Sequence, residues 1–110
     1  DAHRKFLTAF DTVGTRFLLI HSPCPTGWKS EPADSVNLVR LAVRSGLFPL
    51  YEVFDGVRYR INARPDGADP AEYFARQRRF ASDAVDLDTT RRVCAERFER
   101  LDTLARAFPG

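Results

Sequence analysis

Four large apolar residues in succession, Phe17-Leu18-Leu19-Ile20, interrupt a chain whose hydrophobic positions elsewhere recur with a period. A run without alternation predicts a strand covered on both faces, as in a parallel sheet. It ends at once in His21-Ser22-Pro23-Cys24-Pro25-Thr26-Gly27-Trp28. Pro23 and Pro25 have no N–H to give a ladder, and each turns the residue before it away from helix. Upstream, Phe6, Phe10 and Val13 recur at i, i+4 and i+7. That spacing predicts a helix over 2–13, ended by Gly14.

Downstream of the polar segment 29–33, Asp34 is placed to cap a helix over 35–45. Leu38, Leu41 and Ala42, with Val36, Val39 and Val43, give that helix a broad apolar face, and Gly46 stops it. The period then changes to two. Leu50-Tyr51-Glu52-Val53-Phe54, Asp55-Gly56 and Val57-Arg58-Tyr59-Arg60-Ile61 predict a β-hairpin. Asp-Gly accepts the positive φ angles of a two-residue type I′ turn. Pairing Phe54 with Val57 would put Leu50, Phe54, Val57, Tyr59 and Ile61 on one face. Arg58 and Arg60 would then lie with Tyr51 and Val53 on the other. Residues 63–68 are a loop, and Asp69-Pro70-Ala71-Glu72 is a helix start. A last helix over 88–108 carries the stripe Cys94, Phe98, Leu101, Ala105 and Phe108. Strand, loop and helix in succession make an α/β chain. The expected organisation is one domain over 1–110: helix, strand and cysteine loop (1–28), helix and hairpin (29–65), then helices (66–110).

Composition narrows the function classes. At 110 residues the chain is one small domain, with 44% hydrophobic and 29% charged residues, ordinary for a globular protein. Its 17 Lys and Arg against 15 Asp and Glu give only +2, without a contiguous basic stripe, so nucleic-acid binding has no support. No apolar run approaches the ~18 residues of a membrane span and no signal peptide opens the sequence, so a cytoplasmic protein without membrane attachment is expected. The two cysteines, Cys24 and Cys94, could form one disulfide, but nothing implies an oxidising compartment.

Cys24 is the residue with candidate chemistry. It sits between two stiff prolines just past the carboxyl end of the expected strand, where open α/β sheets place ligands and cofactors. Taken alone, a lone cysteine there is more often an inert small hydrophobe. Cys94 lies on a helix stripe and reads as core. His21 could orient a cofactor, but a hydrogen-bonded structural histidine is the commoner case. Trp28 could cover a cofactor, with simple packing the favoured reading. Arg58 and Arg60 could face a partner subunit or water, and solvated charge is commoner. His3 has no assigned role.

The stretch HSPCPTGW resembles APCPTGW in the thiamine-diphosphate-binding β subunit of 2-oxoacid:ferredoxin oxidoreductases, the pyruvate and branched-chain type. Ser22 stands where that family usually has Ala. The likeness continues through Leu41-Ala42-Val43, Gly46-Leu47-Phe48-Pro49-Leu50-Tyr51-Glu52-Val53, Asp55-Gly56, Tyr59-Arg60-Ile61, Glu72-Tyr73-Phe74 and Gln77-Arg78-Arg79-Phe80. The resemblance implies the carboxyl-terminal part of a thiamine-diphosphate-binding fold. It further implies that Cys24 is the last ligand of a [4Fe-4S] cluster whose other ligands lie outside this chain. The family's Gly-Asp-Gly stretch with its following Asn, which holds Mg²⁺ and the diphosphate, is absent, and so is any CxxC.

By the same resemblance, the complete enzyme oxidatively decarboxylates a 2-oxoacid to acyl-CoA and CO₂ and passes electrons to ferredoxin. The implied partners are the rest of the β subunit, the α and other subunits, ferredoxin, coenzyme A and the 2-oxoacid. The isolated chain is expected to be inactive. Two rivals stand beside this reading. One is a non-catalytic structural or interaction module of a related assembly. The other is Cys24 as a nucleophile or redox switch, ranked last because no helix N-terminus is expected beside it and the nearest cation in sequence is Lys29.

Overall fold

Capping and turn signals set most of the elements in the computed structural model, which describes residues 1–81 and 83–110. The helices are α1 (Ala2–Asp11), α2 (Pro25–Trp28), α3 (Ser35–Arg44), α4 (Pro70–Ala75) and α5 (Leu87–Ala107). A 3₁₀ turn over Pro32–Asp34 precedes α3, and the strands are β1 (Leu50–Phe54) and β2 (Arg58–Ala63). Asp69 caps α4 by accepting the Ala71 N–H at 3.0 Å, with Pro70 at the first helical position. Asp86 caps α5 by accepting the Thr89 N–H at 3.0 Å. Asp34 precedes α3 as expected, but its side chain makes no cap bond. Its carboxylate is held instead by Arg76 at 2.9 Å through both oxygens, and this pairing keeps Asp34 below the usual carboxylate range.

The core lies between α3 and α4. Leu38, Leu41 and Ala42 fall at i, i+3 and i+4 on one face of α3 and are buried against Tyr73 of α4. Trp28, Leu47, Phe48, Ala68 and Phe74 pack around them. Val36, by contrast, points away and is exposed. Gly46 ends this region with φ +81, and a Cβ there would meet Pro65 Cγ at 3.4 Å and Cys94 Cβ at 3.7 Å. Glycine thus supplies both the left-handed turn and the close approach of the α3 end to α5.

The hairpin forms where the sequence placed it. Asp55 has φ 54 and Gly56 φ 73, the two positive angles of the expected turn, and the Val57 N–H returns to Phe54 O at 3.0 Å. Its register differs by one residue from expectation. Phe54 pairs with Arg58 and Val53 with Tyr59, leaving Val57 outside the ladder. The shift exchanges faces. Arg58 and Arg60 now lie over the Phe54 ring at 5.8 and 4.9 Å, while Tyr59 and Ile61 share the face of Tyr51 and Val53. The cause lies beyond α5. The Tyr59 N–H donates to Phe108 O and the Gly110 N–H to Tyr59 O, both at 2.8 Å, so Tyr59 turns its backbone polar groups away from β1.

The expected buried strand is not formed by this chain. Phe17, Leu18, Leu19 and Ile20 have no regular structure, and their side chains are exposed. No strand among the described residues pairs with them: β1 and β2 pair antiparallel with each other, and no parallel sheet occurs among the described residues. The chain is therefore a mixed helix and sheet structure in the coarse sense expected. α1 stops at Asp11, short of the expected Val13, and leaves Phe10 in solvent, as Val13 is beyond it, although Arg4 ties the helix to β1 through Glu52 at 2.7 Å. Total accessible surface is 7664 Å², whereas a compact monomer of this mass exposes about 6,200 Å². No helix among the described residues is long and apolar enough to cross a membrane.

Candidate metal-ligand loop

Cys24 is the residue that starts α2. Its backbone is extended (φ −127, ψ 97), and Pro25 occupies the first helical position. Proline suits that position because its ring presets φ and its missing N–H would have had no helical partner. The Trp28 N–H closes the turn on Cys24 O at 2.8 Å, and Lys29, in left-handed conformation (φ 52, ψ 44), reverses the chain. The product is a single helical turn with the thiol at its mouth. Cys24 is exposed and free. A Cβ on Gly27 would stand 3.5 Å from Cys24 Sγ, so any side chain there would cover one flank of the sulfur. Glycine leaves it open.

Both ends of this loop are fixed to the core. At the leading end the His21 ring stacks on Phe48, with centroids 5.0 Å apart and planes at 21°. Its Nε2 lies 3.3 Å from the Tyr73 hydroxyl. At the trailing end Trp28 meets Tyr73 edge-on at 6.1 Å and His21 at 5.4 Å. The Arg79 guanidinium lies 4.4 Å over the Trp28 ring, a cation–π contact. It is aimed there by donating from Nε to Gln77 Oε1 at 2.8 Å. Gln77 is itself buried and donates from Nε2 to Tyr73 O at 2.8 Å. Main-chain bonds from the Arg79 N–H to Trp28 O (3.3 Å) and from the Arg78 N–H to Lys29 O (3.2 Å) complete the attachment.

Burial, reinforced by the positive charge of Arg79, holds the His21 pKa below its ordinary value. The imidazole is thus favoured in its neutral form, which can share a proton with Tyr73 in either tautomer. His21 is thereby a satisfied, half-buried structural histidine, and Trp28 is a packing residue at the core margin. Cys94 is buried on α5 as expected, and burial pushes its thiol pKa up. The two thiols form no disulfide. Arg58 pairs with Asp55 at 2.5 Å, and Arg60 donates to Gly110 O at 3.2 Å, so both serve the hairpin and the terminal segment. His3 is exposed on α1.

A four-iron cluster takes four thiolates. Among the described residues no three His, Cys, Asp or Glu side chains come together in a metal-sized group. One open, rigidly held thiol fits a single-ligand contribution to a shared cluster and nothing larger. Against the expectation that no helix N-terminus adjoins the cysteine, α2 begins at Pro25. The two prolines that forbid a strand also start a helical turn. That turn is four residues long, and the Cys24 thiol has no hydrogen-bond partner among the described residues, so no base accompanies it. Phe48, Tyr73, Gln77 and Arg79 entered the sequence reading only through the family resemblance, with no role assigned to them. Three of them lie about fifty residues beyond the loop they hold (52 from His21 to Tyr73), where no local pattern could announce the contact.

Comparison with known proteins locates this loop in a larger context. No family model matches the chain. It is 35% identical over 112 residues to the ketoisovalerate oxidoreductase subunit VorB of Pyrococcus furiosus, covering 98% of this chain and 36% of that protein. It is 42% identical over 81 residues to the pyruvate synthase subunit PorB of Methanothermobacter thermautotrophicus, covering 73% of this chain and 28% of that protein. PorB of Methanocaldococcus jannaschii is 38% identical over 81 residues, with 73% and 27% covered. The chain thus spans about a third of the length of the curated relatives it matches.

Proposed function

From homology over most of its length to VorB and PorB, β subunits of 2-oxoacid:ferredoxin oxidoreductases, we propose that this chain works as the carboxyl-terminal portion of such a subunit. Its chemical contribution is one thiolate, Cys24, to a [4Fe-4S] cluster whose other ligands lie outside residues 1–110. The observation that carries this reading is the exposed, unpaired Cys24 thiol at the mouth of α2, on a loop pinned at His21 and Trp28. In the complete enzyme, thiamine diphosphate with Mg²⁺ would supply the chemistry of 2-oxoacid decarboxylation to an acyl-CoA, and a cluster held in part by Cys24 would supply single-electron transfer toward ferredoxin. Residues of this chain hold the ligand in position. Pro23 and Pro25 stiffen the loop, the His21–Phe48 stack and the Trp28–Arg79 contact fix its ends, and Gly27 keeps the sulfur accessible. The 110 residues act as one unit, inactive alone because neither the diphosphate motif nor the remaining thiolates are present.

Cys24→Ala in the complete complex tests this. Iron and acid-labile sulfide should fall by one cluster's worth or to a three-iron form, while assembly persists. Unchanged iron, reduced-state EPR and turnover would show that the ligand lies elsewhere. The α2 turn at Cys24 gives a nucleophilic reading one supporting feature, but that chemistry needs a base within hydrogen-bond reach, and none is described. A purely structural module would assemble without iron in the unaltered protein, so the same measurement separates it.

A further inference from the structure

Two backbone partners compete for Tyr59. Its N–H donates to Phe108 O and its carbonyl accepts from the Gly110 N–H, both at 2.8 Å, with Tyr59 bridging Pro109 in parallel. Along an antiparallel strand, one residue turns both polar groups to its partner strand and the next turns both away. With Phe54 paired to Arg58 and Val53 to Tyr59, it is Arg58 and Arg60 that face β1. The two-residue loop favoured by Asp55-Gly56 would pair Phe54 with Val57, Val53 with Arg58 and Glu52 with Tyr59. Both polar groups of Tyr59 would then point at β1. Tyr59 cannot serve β1 and segment 108–110 at once.

We infer that the hairpin has two registers and that segment 108–110 is the strap that selects between them. Strapped, β2 takes the register described above. Released, it slips by one residue to the register that the Asp-Gly turn prefers, and Arg58 and Arg60 cross to the face of Tyr51 and Val53. The turn needs little change for this. Asp55 at φ 54, Gly56 at φ 73 and the Val57 N–H bond to Phe54 O at 3.0 Å already belong to the two-residue loop. The ladder also shifts once between Leu50 and Tyr51, so the slip involves only residues between that irregularity and the turn. Side-chain burial does not decide the choice. One register gathers Tyr51, Val53, Tyr59 and Ile61 on a face, and the other gathers Leu50, Phe54, Val57, Tyr59 and Ile61. The strap supplies what separates them. Besides its two backbone bonds, Gly110 O accepts from Arg60 Nε at 3.2 Å, while the Arg60 guanidinium lies 4.9 Å over the Phe54 ring. The seat is cut for glycine. A Cβ on Gly110 would stand 3.0 Å from Phe54 Cδ2 and 3.2 Å from the Tyr59 carbonyl carbon, so a larger residue is driven off. Any contact that draws 108–110 away from β2 would therefore exchange the residues that the hairpin shows. This device is independent of the Cys24 assignment.

Nuclear magnetic resonance of the 110-residue chain tests this through Hα–Hα contacts, which are close only across pairs that are not hydrogen-bonded to each other. The unaltered chain should show the contact between Val53 and Tyr59. Deleting residues 108–110 should replace it with a contact between Val53 and Arg58. Amide exchange gives a second reading with the opposite sign for a passive strap. In the slipped register the Tyr59 amide stays protected by Glu52 while the Arg58 amide becomes exposed. If the deletion instead keeps the Val53–Tyr59 contact and the Tyr59 amide exchanges faster, the register belongs to the hairpin itself and the proposal fails. Loss of both contacts with the α3–α4 core intact also overturns it, because the strap would then hold the hairpin together rather than choose its register. Where the deletion unfolds the core, Gly110→Leu decides by the same two contacts, since it evicts the segment by sterics and removes no other residue. A Gly110→Leu chain that keeps the Val53–Tyr59 contact with a fast Tyr59 amide refutes the two-register device.

Discussion

The attachment of the Cys24 loop gives a perturbation whose size follows from the structure. His21→Ala removes the stack on Phe48, centroids 5.0 Å apart, which is worth about 0.5–1.5 kcal/mol. It removes a hydrogen bond to Tyr73 that is long at 3.3 Å and therefore near the low end, about 0.5 kcal/mol. It also strands the hydroxyl of Tyr73, a residue only 6% exposed, at a cost of about 1–3 kcal/mol if water does not replace the partner. With partial relaxation the total is about 2–4 kcal/mol. For a domain of this size each kcal/mol lowers Tm by roughly 4–8 °C, so a fall of ~10–25 °C is expected by thermal circular dichroism. His21→Phe keeps the stack and should recover about half of the loss. The double-mutant cycle of His21→Phe with Tyr73→Phe isolates the polar contact, and the double variant should be more stable than additivity predicts by about 1 kcal/mol. A His21→Ala melt within a degree or two of the unaltered chain would show that His21 does not pin the loop. Strict additivity in the cycle would show that the 3.3 Å contact is incidental.

Two further outcomes follow from the geometry. Gly56→Val should cost about 1–3 kcal/mol, because φ is +73 and a Cβ there meets nothing within 4 Å, so the loss is purely conformational; Gly56→Asn should cost much less, and equal melting of the two would refute a left-handed requirement. Because the folded-state pKa of His21 is depressed, the unfolded chain binds its proton first; stability is full above the ordinary histidine value of about 6.5 and falls as pH drops below it. His21→Phe should flatten the urea midpoint below about pH 6.5, and an unchanged slope would place the titrating group elsewhere.

The elements that the sequence announces are those whose causes are local. Asp69-Pro70 and Asp55-Gly56 act on backbone within three residues, and both behave as their chemistry requires. The hairpin register is different. Asp-Gly specifies the turn angles but leaves Val57 free to pair or stand outside, and the choice falls to Phe108–Gly110 bonding Tyr59 from fifty residues away. Periodicity identified Phe17–Ile20 as a segment built for burial, and its composition still says so. What it lacks is a cover among the described residues, because burial is a property of neighbours and not of the segment itself. The cysteine loop shows both behaviours at once. Pro23 and Pro25 made its stiffness legible, whereas the aromatic attachment through Phe48 and Tyr73 depends on tertiary packing that no window of sequence contains. The prolines also misled: the same ring that ends a strand preorganises the first turn of a helix, and Cys24 became the residue before a helix.

The contrast between these neighbouring segments bears on how a shared site can be assembled. Ordering a residue's backbone costs about 1–2 kcal/mol, and a ligand on a free loop would impose that cost at the moment of metal binding. Residues 21–28 are already ordered, held through His21 at one end and Trp28 at the other. Residues 17–20 have no regular structure and no backbone hydrogen bond among the described residues. The division also protects the geometry of the Cys24 loop. Distortion at residues 17–20 reaches Cys24 through His21, whose ring is held by the stack on Phe48 and the hydrogen bond to Tyr73.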